Sequence, residues 1–255
     1  MEKITSRKNP CAVHMKKLGS SRAYREESGE FLCDGIKLLE DAINSGAEIT
    51  AVLTASHISF PVALDTRVYH ADQMLIDYIS PLKNAQDTLF ACKFPPTKND
   101  GYSEFQTSSS ELSTQILLDG MQDPGNVGAI IRTANAFGIN CVILTGGCAD
   151  PYNPKAIRAS MGAVFRQRIH SMSLSELTEL KIGGVRFTGA ALQEGCRNIL
   201  DVNLGGAIVA IGSEGRGLSE ELLALCDEKI TIPIAPECES LNAAIAAAII
   251  IWQAR

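Results

Sequence analysis

The chain has 255 residues, of which 45% are hydrophobic and 20% are charged, so it can bury one large core or two ordinary ones and is not disordered by composition. Its formal net charge of −6 and its aromatic content of 5% argue against a nucleic-acid binder with an overall basic surface or with aromatic platforms for stacked bases. The average charge, however, conceals an uneven distribution along the chain.

The N-terminal segment is basic, although the chain as a whole is acidic. Residues 1–98 carry 12 Lys and Arg against 12 Asp and Glu, whereas residues 99–255 carry 11 against 17. The first 25 residues contain one acid, Glu2, and seven basic side chains: Lys3, Arg7, Lys8, Lys16, Lys17, Arg22 and Arg25. A solvated face or mobile arm and a nucleic-acid surface both fit such a cluster, so composition leaves the choice open.

Strand and helix patterns alternate through the N-terminal part. We predict strands at residues 30–33, 49–54 and 88–94, and helices at residues 35–45 and 71–79. This alternation indicates a small α/β/α domain.

A polar stretch separates this part from the rest of the chain. Residues 95–115 begin with Pro95-Pro96, contain a serine triplet and show no apolar period, which is typical of a linker. We therefore place an N-terminal domain at residues 1–98, a linker at residues 99–112 and a C-terminal domain at residues 113–255.

The alternation is stronger in the C-terminal part. We predict strands at residues 115–118, 141–145, 184–190, 207–212 and 229–233, and helices at residues 127–137, 154–164, 220–226 and 240–255. The run AIVAIG at residues 207–212 is apolar throughout, as in a strand that is buried on both faces of a parallel sheet. Ligands of such sheets bind beyond the carboxyl ends of the strands.

Three segments follow predicted strands and could hold chemistry. Residues 119–128 (DGMQDPGNVG) contain a Pro-Gly turn, and we expect Asn126 to cap the helix that carries Arg132. Residues 211–219 (IGSEGRGLS) have bare glycines but neither dinucleotide nor P-loop spacing, and Glu214 would repel a phosphate. Residues 232–242 (IPIAPECESLN) open an Ala-rich helix that we expect Ser240 to cap. Ordinary loops and helix caps remain the alternative interpretation.

Other kinds of site lack support in the sequence. The eight cysteines form no CxxC pair and no Cys/His zinc spacing, so we predict no metal site and a reducing compartment. The N-terminus has no apolar stretch, and the longest apolar run, residues 243–252, is about half of what a bilayer requires. We expect a cytoplasmic protein with no membrane partner.

Together the three segments resemble the motifs of the SpoU (TrmH-type) RNA ribose methyltransferases of the SPOUT superfamily. NVGAIIRTA from Asn126 resembles the first motif, IGSEGRGLS the second, and IPI followed by Ser240-Leu-Asn242 the third. Residues 21–32 (SRAYREESGEFL) and 34–39 (DGIKLL) resemble the family's ribosomal-protein-L30e-like substrate-binding domain. In the third motif, Pro236 and Glu237 replace the usual glycine neighbourhood.

The resemblance implies a fold, a reaction and partners. The fold is an α/β trefoil-knot domain with a parallel sheet, preceded by the smaller L30e-like α/β/α domain. The reaction is methyl transfer from S-adenosylmethionine to a ribose 2′-hydroxyl of structured RNA. The implied partners are a second copy of the chain and an RNA, with 23S rRNA favoured over tRNA.

The resemblance also implies site residues. Those of the catalytic site are Arg132, Asn126, Glu214, Ser240 and Asn242, the last four holding Arg132 and the ribose. Those around the cofactor are Thr145, Gly146, Gly212, Ile232 and Leu241. The candidate RNA contacts are Arg158, Lys16, Lys17, Arg22 and Arg25. Two alternatives stay open, which are a tRNA 2′-O-methyltransferase and a non-catalytic RNA-binding or ribosome-assembly factor that retains the fold.

Overall fold

The computed structural model describes residues 2–95 and 114–255, which divide into two compact units. The described part of the first unit comprises residues 2–95 and 150–166, and that of the second comprises residues 114–149 and 167–255. The predicted linker at residues 99–112 lies outside the described residues. Residues 150–166, which fall within the predicted C-terminal domain, pack within the first unit.

The first unit is built on a five-stranded mixed sheet. Its strands are β1 (Glu2–Ile4), β2 (Glu30–Asp34), β3 (Ile49–Thr54), β4 (Arg67–Ala71) and β5 (Thr88–Lys93), in the order β1-β4-β3-β5-β2. β5 pairs antiparallel with β2 and β3, whereas β4 pairs parallel with β1 and β3. The helices before residue 95 are α1 (Pro10–Ser20), α2 (Arg22–Ser28), α3 (Ile36–Asn44) and α4 (Gln73–Ile79).

Both faces of this sheet are covered. Neighbouring side chains of a strand point to opposite faces, and in β2 two neighbours pack against different groups. Leu32 belongs to a core that includes apolar side chains of α1 and α4. Its neighbour Phe31 packs against the aromatic rings of Tyr152 and Phe165, with centroid distances of 4.9 and 6.2 Å. Aromatic contacts thus hold residues 150–166 on the sheet.

The second unit contains a seven-stranded sheet in which every pair is parallel, as the sequence predicted. Its strands are β6 (Gln115–Asp119), β7 (Cys141–Leu144), β8 (Arg168–Ser171), β9 (Phe187–Ala190), β10 (Arg197–Asn198), β11 (Ile208–Gly212) and β12 (Glu228–Thr231). Their order is β10-β12-β9-β11-β6-β7-β8. The remaining helices are α5 (Pro124–Ala136), α6 (Pro154–Ser160, first unit), α7 (Leu174–Ile182), α8 (Glu220–Leu225) and α9 (Ala243–Gln253).

The parallel register brings the three candidate segments to one edge of the second sheet. β6 and β11 are neighbours, and Asp119 is paired with Gly212, the last residue of β11. Leu118 is likewise paired with Leu144, so the turn after β7 lies at the same edge. This arrangement follows from parallel pairing, which places all carboxyl ends on one side.

α5 begins earlier than predicted. Its cap is Asp123, whose Oδ1 accepts a hydrogen bond from the Gly125 N–H at 2.6 Å, and Pro124 occupies the first helical turn. The prediction that Asn126 caps this helix is therefore wrong. Asn126 lies within the first turn, and its side chain is available for other contacts.

α9 begins later than predicted, at Ala243. Its cap is Asn242, whose Oδ1 accepts hydrogen bonds from the N–H groups of Ala244 and Ile245 at 3.0 and 3.3 Å. The prediction that Ser240 caps the helix is wrong, because Ser240 lies in the irregular segment before it.

The predicted helix at residues 154–164 is also shorter in the structure. α6 stops at Ser160, since Met161 and Gly162 adopt left-handed backbone angles with φ of +48° and +81°.

In the part of the chain that the structure describes, no helix is long and apolar enough to span a bilayer.

Candidate functional site

The three sequence segments meet at the side chain of Glu214. Glu214 Oε1 accepts hydrogen bonds from Asn126 Nδ2 at 2.9 Å and from Asn242 Nδ2 at 2.6 Å, and from the Ala243 N–H at 3.2 Å. Asn242 Nδ2 also contacts Asn126 Oδ1, at 3.2 Å. One carboxylate oxygen therefore joins the first turn of α5, the loop after β11 and the N-terminus of α9.

These contacts explain how Asn242 can have two roles. Its Oδ1 caps α9, while its Nδ2 points to Glu214, so the two ends of one amide serve two different partners. The carboxylate of Glu214 also lies near the N-terminus of α9, where the helix dipole favours negative charge. Three predicted site residues, Asn126, Glu214 and Asn242, are thus brought together.

The loop after β11 folds back as a tight hairpin at residues 213–217, which we call the glycine hairpin. Ser213 and Gly217 exchange two backbone hydrogen bonds of 3.1 and 2.9 Å, and Gly217 has a φ of +68°. A Cβ on Gly212 would lie 2.0 Å from the Gly217 carbonyl carbon, so only glycine fits at that position.

A cavity of about 410 Å³ lies on one side of the glycine hairpin. The predicted cofactor residues Gly212, Ile232 and Leu241 line it, and so does Ser240. Apolar side chains from other elements complete the wall, namely Leu192, Leu218, Leu223, Ile230, Ile234 and Ile250. The cavity combines an apolar lining with backbone groups at strand ends, which suits a ligand with an aromatic ring and polar edges.

A second cavity, of about 510 Å³, lies on the other side of the glycine hairpin. It is lined by Asn126, Glu214 and Gly146, together with Asp119 and Asp123. Gly146 was predicted at the cofactor and lines this second cavity instead of the first. The charged side chains of its lining are three carboxylates and Arg216, so acceptors for hydroxyl groups outnumber cations for phosphates.

Thr145 supports the second cavity from outside its lining. Its Oγ1 donates a hydrogen bond to Asp119 Oδ1 at 2.8 Å and accepts one from the Gly120 N–H at 3.2 Å. The nearby thiol of Cys148 contacts the Leu118 carbonyl oxygen at 3.2 Å, and burial raises its pKa. A thiol with a raised pKa stays protonated, so Cys148 serves packing rather than nucleophilic chemistry.

Arg132 is exposed on α5. Among the described residues it has no hydrogen-bond or ion-pair partner. The prediction that Asn126, Glu214, Ser240 and Asn242 hold the guanidinium of Arg132 is therefore wrong for this structure. The amides and the carboxylate hold one another, which leaves the guanidinium available for a ligand.

The basic residues of the N-terminal segment have different environments. Lys16 is half-buried, and its Nζ donates to the Tyr78 carbonyl oxygen at 2.8 Å, whereas Lys17 is exposed. Arg22 is exposed and pairs with Glu26 at 2.8 Å. The segment forms β1, α1 and α2 rather than a mobile arm.

Arg25 is buried, with an exposed fraction of 3%. Its guanidinium donates to Asp150 Oδ2, at 2.9 Å from Nε and 2.5 Å from Nη2, and Nη1 donates to the Leu18 carbonyl oxygen at 2.6 Å. The prediction that Arg25 contacts RNA is wrong, because its donors already bind protein groups inside the first unit.

Arg158 lies on α6 and is exposed. Its Nη1 donates to the Asn84 carbonyl oxygen at 3.0 Å, within the first unit. One carbonyl satisfies only one of its five N–H donors, so a phosphate contact remains open to it.

Sequence reasoning missed several residues that build the site. Asp119 accepts hydrogen bonds from both Thr145 and the Ser219 N–H, and Leu192 and Leu218 line the first cavity. The sequence offers one clue to these residues, which is their place at the ends of strands. Asp119 ends one buried strand, and Leu192 follows another.

Comparison with known proteins gives matches over nearly the whole chain. Residues 113–252 match the model of the SpoU rRNA Methylase family, and residues 9–89 match the MRM3-like substrate binding domain. The 23S rRNA (guanosine(2553)-2′-O)-methyltransferase RlmP of Bacillus subtilis is 31% identical over 100% of both chains.

Solved structures show the same fold. An AdoMet-bound rRNA methyltransferase from Sinorhizobium meliloti is 27% identical, with a TM-score of 0.86 over 100% of this chain and 97% of that one. The SpoU methyltransferase AviRb from Streptomyces viridochromogenes, in complex with AdoMet, is 25% identical, with a TM-score of 0.82 over 97% of each chain. The predicted fold class is confirmed.

Proposed function

The chain belongs to the SpoU rRNA methylase family and is an S-adenosylmethionine-dependent RNA 2′-O-methyltransferase; on this premise we propose how its residues divide the work. Residues 113–255, apart from residues 150–166 of the first unit, carry out methyl transfer, and residues 1–98 together with Arg158 bind the RNA substrate. The matches at residues 113–252 and 9–89 support this division.

The first cavity binds S-adenosylmethionine. Its volume of about 410 Å³ falls in the range of small-molecule sites, and the bare backbone at Gly212 permits close approach of a planar ring. Backbone groups at residues 212, 232 and 241 hold the adenosyl moiety, and the apolar side chains exclude water. The cofactor supplies an electrophilic methyl group on a sulfonium centre.

The second cavity binds the acceptor ribose. The carboxylate of Glu214 lines it and can accept hydrogen bonds from ribose hydroxyls. The glycine hairpin lies between the two cavities, since residues 213, 214 and 216–218 line both. It therefore determines the distance between the two reactants, and alignment supplies much of the rate.

Arg132 lines neither cavity in this structure, and it is the resemblance to the family's first motif that leads us to place it at the 2′-hydroxyl. Its guanidinium remains protonated in proteins, so it acts by binding phosphate and by stabilising the developing alkoxide, not as a literal base. Its exposure and its lack of a partner among the described residues leave all five N–H donors available. Asn126, Glu214 and Asn242 keep the ribose side of the site in place through their shared hydrogen bonds.

The RNA substrate is rRNA rather than tRNA, and 23S rRNA in particular. The Bacillus subtilis relative, which matches over its whole length, is a 23S rRNA methyltransferase. The exposed cations Lys17, Arg22 and Arg158 of the first unit bind phosphates of this RNA, whereas the ammonium of Lys16 is held against Tyr78. A cytoplasmic location accords with the eight free cysteines.

The protein acts as a homodimer through α9. Ile245, Ile249 and Trp252 follow one another at helical spacing and are 54%, 37% and 53% exposed. α9 packs on α5, and Trp252 contacts Phe137 edge-on at 5.5 Å. An exposed apolar stripe of this kind is typical of a protein interface, and a second copy of the chain is the occupant that we propose.

The test is methyl incorporation from labelled S-adenosylmethionine into rRNA, with tRNA as the competing substrate. Arg132→Ala should abolish incorporation into rRNA while leaving cofactor affinity, measured by calorimetry, within about threefold. Arg186→Ala is the control, because Arg186 is a half-buried arginine of the same unit that lies outside the three candidate segments and donates to the Gly205 carbonyl oxygen. Equal incorporation by the wild type and Arg132→Ala would overturn the catalytic assignment, and preference for tRNA would overturn the substrate.

A further inference from the structure

Asp119, the last residue of β6, joins two loops through two separate oxygens. Oδ1 accepts a hydrogen bond from Thr145 Oγ1 at 2.8 Å, and Oδ2 accepts one from the Ser219 N–H at 2.7 Å. Thr145 follows β7, and Ser219 follows the glycine hairpin that comes after β11. Three neighbouring strands thus have their terminal loops connected by one carboxylate.

The Thr145 contact fixes the turn that lines the second cavity. Its hydroxyl donates to Asp119 and accepts from the Gly120 N–H, so the hydroxyl is oriented by both partners. Gly146 and Gly147 follow directly and line the cavity, and Gly147 has a φ of +86°.

The Ser219 contact fixes the base of the glycine hairpin. The tip of the hairpin is held separately, through the hydrogen bonds that Glu214 accepts from Asn126 and Asn242. Without the contact to Asp119, the hairpin would keep its tip anchor and lose the anchor at its base. Because the hairpin separates the two cavities, its displacement would change the distance between their ligands.

We propose that Asp119 is a positioning residue for methyl transfer, which aligns the acceptor ribose with the methyl donor by anchoring the glycine hairpin and the turn at residues 145–147. This inference rests on the function proposed above. Asp119 acts on the alignment of the two reactants and not on their binding. A displacement of about 1 Å can lower the rate of an in-line transfer about 100-fold.

The carboxylate chemistry predicts a graded series of variants. Alanine at position 119 accepts neither hydrogen bond. Asparagine can still accept from the Ser219 N–H through its oxygen, while its Nδ2 donates to Thr145 Oγ1, whose own proton has a second acceptor in the Gly146 carbonyl at 3.3 Å. Asp119→Asn should therefore keep more of the geometry than Asp119→Ala, and Thr145→Val should lose one of the two anchors.

The first measurement is steady-state kinetics on these variants with rRNA. Asp119→Ala should lower kcat about 100-fold, with KM for RNA within about threefold of the wild type. The kcat of Asp119→Asn should be about tenfold higher than that of Asp119→Ala. Asp227→Ala is the matched control, because Asp227 also accepts a backbone hydrogen bond, from the Phe187 N–H at 2.9 Å, but lines neither cavity. Equal kcat for Asp119→Ala and Asp227→Ala, or a loss confined to KM, would overturn the proposal.

The second measurement does not depend on activity and separates this proposal from the function itself. Hydrogen exchange of the peptide covering residues 213–219 should be faster in Asp119→Ala than in the wild type and unchanged in Asp227→Ala. Thr145→Val keeps the Ser219 contact and should therefore stay near the wild type in this peptide. Unchanged exchange in Asp119→Ala would overturn the positioning role even in an active enzyme. An inactive wild type that binds S-adenosylmethionine and shows the expected exchange would overturn the proposed function alone.

Discussion

Charged side chains at the edge of the second sheet and in the N-terminal basic segment have opposite environments. Glu214 is exposed and accepts three hydrogen bonds from groups of two other segments. Arg25 is 3% exposed and is bound to Asp150 and to a backbone carbonyl. In the first region polar groups converge where solvent and ligands have access, and in the second a buried, paired cation stabilises the fold. Charge density in a sequence therefore does not locate a binding surface until burial and pairing are known.

The largest expected effect would come from removing Arg25. Arg25→Ala leaves the carboxylate of Asp150, which is 12% exposed, without its cation, and breaking one half of a buried pair costs about 3–5 kcal/mol. The free energy of unfolding of the full-length chain should fall by about that amount in urea titrations. Arg22→Ala is the control, since the exposed pair with Glu26 should contribute less than about 1 kcal/mol. Unchanged stability of Arg25→Ala with weakened RNA binding would reverse our assignment.

Removing the Glu214 carboxylate should have the opposite signature. Glu214→Ala should lower kcat about 100-fold through misalignment, while the free energy of unfolding changes by less than about 1.5 kcal/mol because water can solvate the exposed amides. Methyl incorporation and urea unfolding, measured on the same samples, test both expectations. Glu179→Ala, at an exposed glutamate of α7, should match the wild type in both. A large stability loss with normal kcat would remove the contrast between the two regions.

The sequence predicts the edge of the second sheet well because the relevant information is local. Glycine-bearing loops after buried strands predict a ligand site at this edge, and the resemblance to the SpoU motifs adds that Asn126, Glu214 and Asn242 share it. It does not predict the burial of Arg25, because the partner, Asp150, is 125 residues away. The start of α9 was misplaced because Ser240 and Asn242 are both good caps.

Asp119 shows a third limit. A single aspartate at the end of a strand has no spacing pattern, and its role depends on which strands become neighbours. β6 lies between β7 and β11, so Thr145 and Ser219 approach it from either side. That strand order follows from tertiary packing, and no local propensity specifies it.

A smaller effect should identify which basic residues of the first unit contact RNA. Lys17 is exposed, whereas Lys16 is half-buried against Tyr78, with Nζ 3.2 Å from the ring centroid. If Lys17 neutralises one phosphate, Lys17→Ala should reduce the slope of log affinity against log salt by about 0.7–0.9. Filter-binding titrations with rRNA at several salt concentrations measure this slope. Lys16→Ala should leave it unchanged, and a larger change for Lys16→Ala would exchange their roles.

The smallest expected effect concerns Asp34, a buried carboxylate whose hydrogen-bond partners are neutral. It is 7% exposed and accepts hydrogen bonds from Ser80 Oγ and the Gln86 N–H, both at 2.8 Å. Burial raises the pKa of Asp34 above its ordinary value, although these hydrogen bonds and the charge of Arg158 oppose the change. The folded state therefore binds this proton more tightly than the unfolded state does.

The sign of the resulting pH dependence follows from that difference. Ionising Asp34 destabilises the folded state above its folded pKa; the destabilisation shrinks as the pH falls through that pKa and vanishes below the unfolded pKa of about 3.9. Relative to Asp34→Asn, which does not titrate in this range, the wild type should gain stability as the pH is lowered from 7 toward 4. Urea unfolding of both proteins at several pH values tests this expectation. A relative loss on acidification would mean that Asp34, like the Arg25–Asp150 pair, stabilises the fold in its charged form.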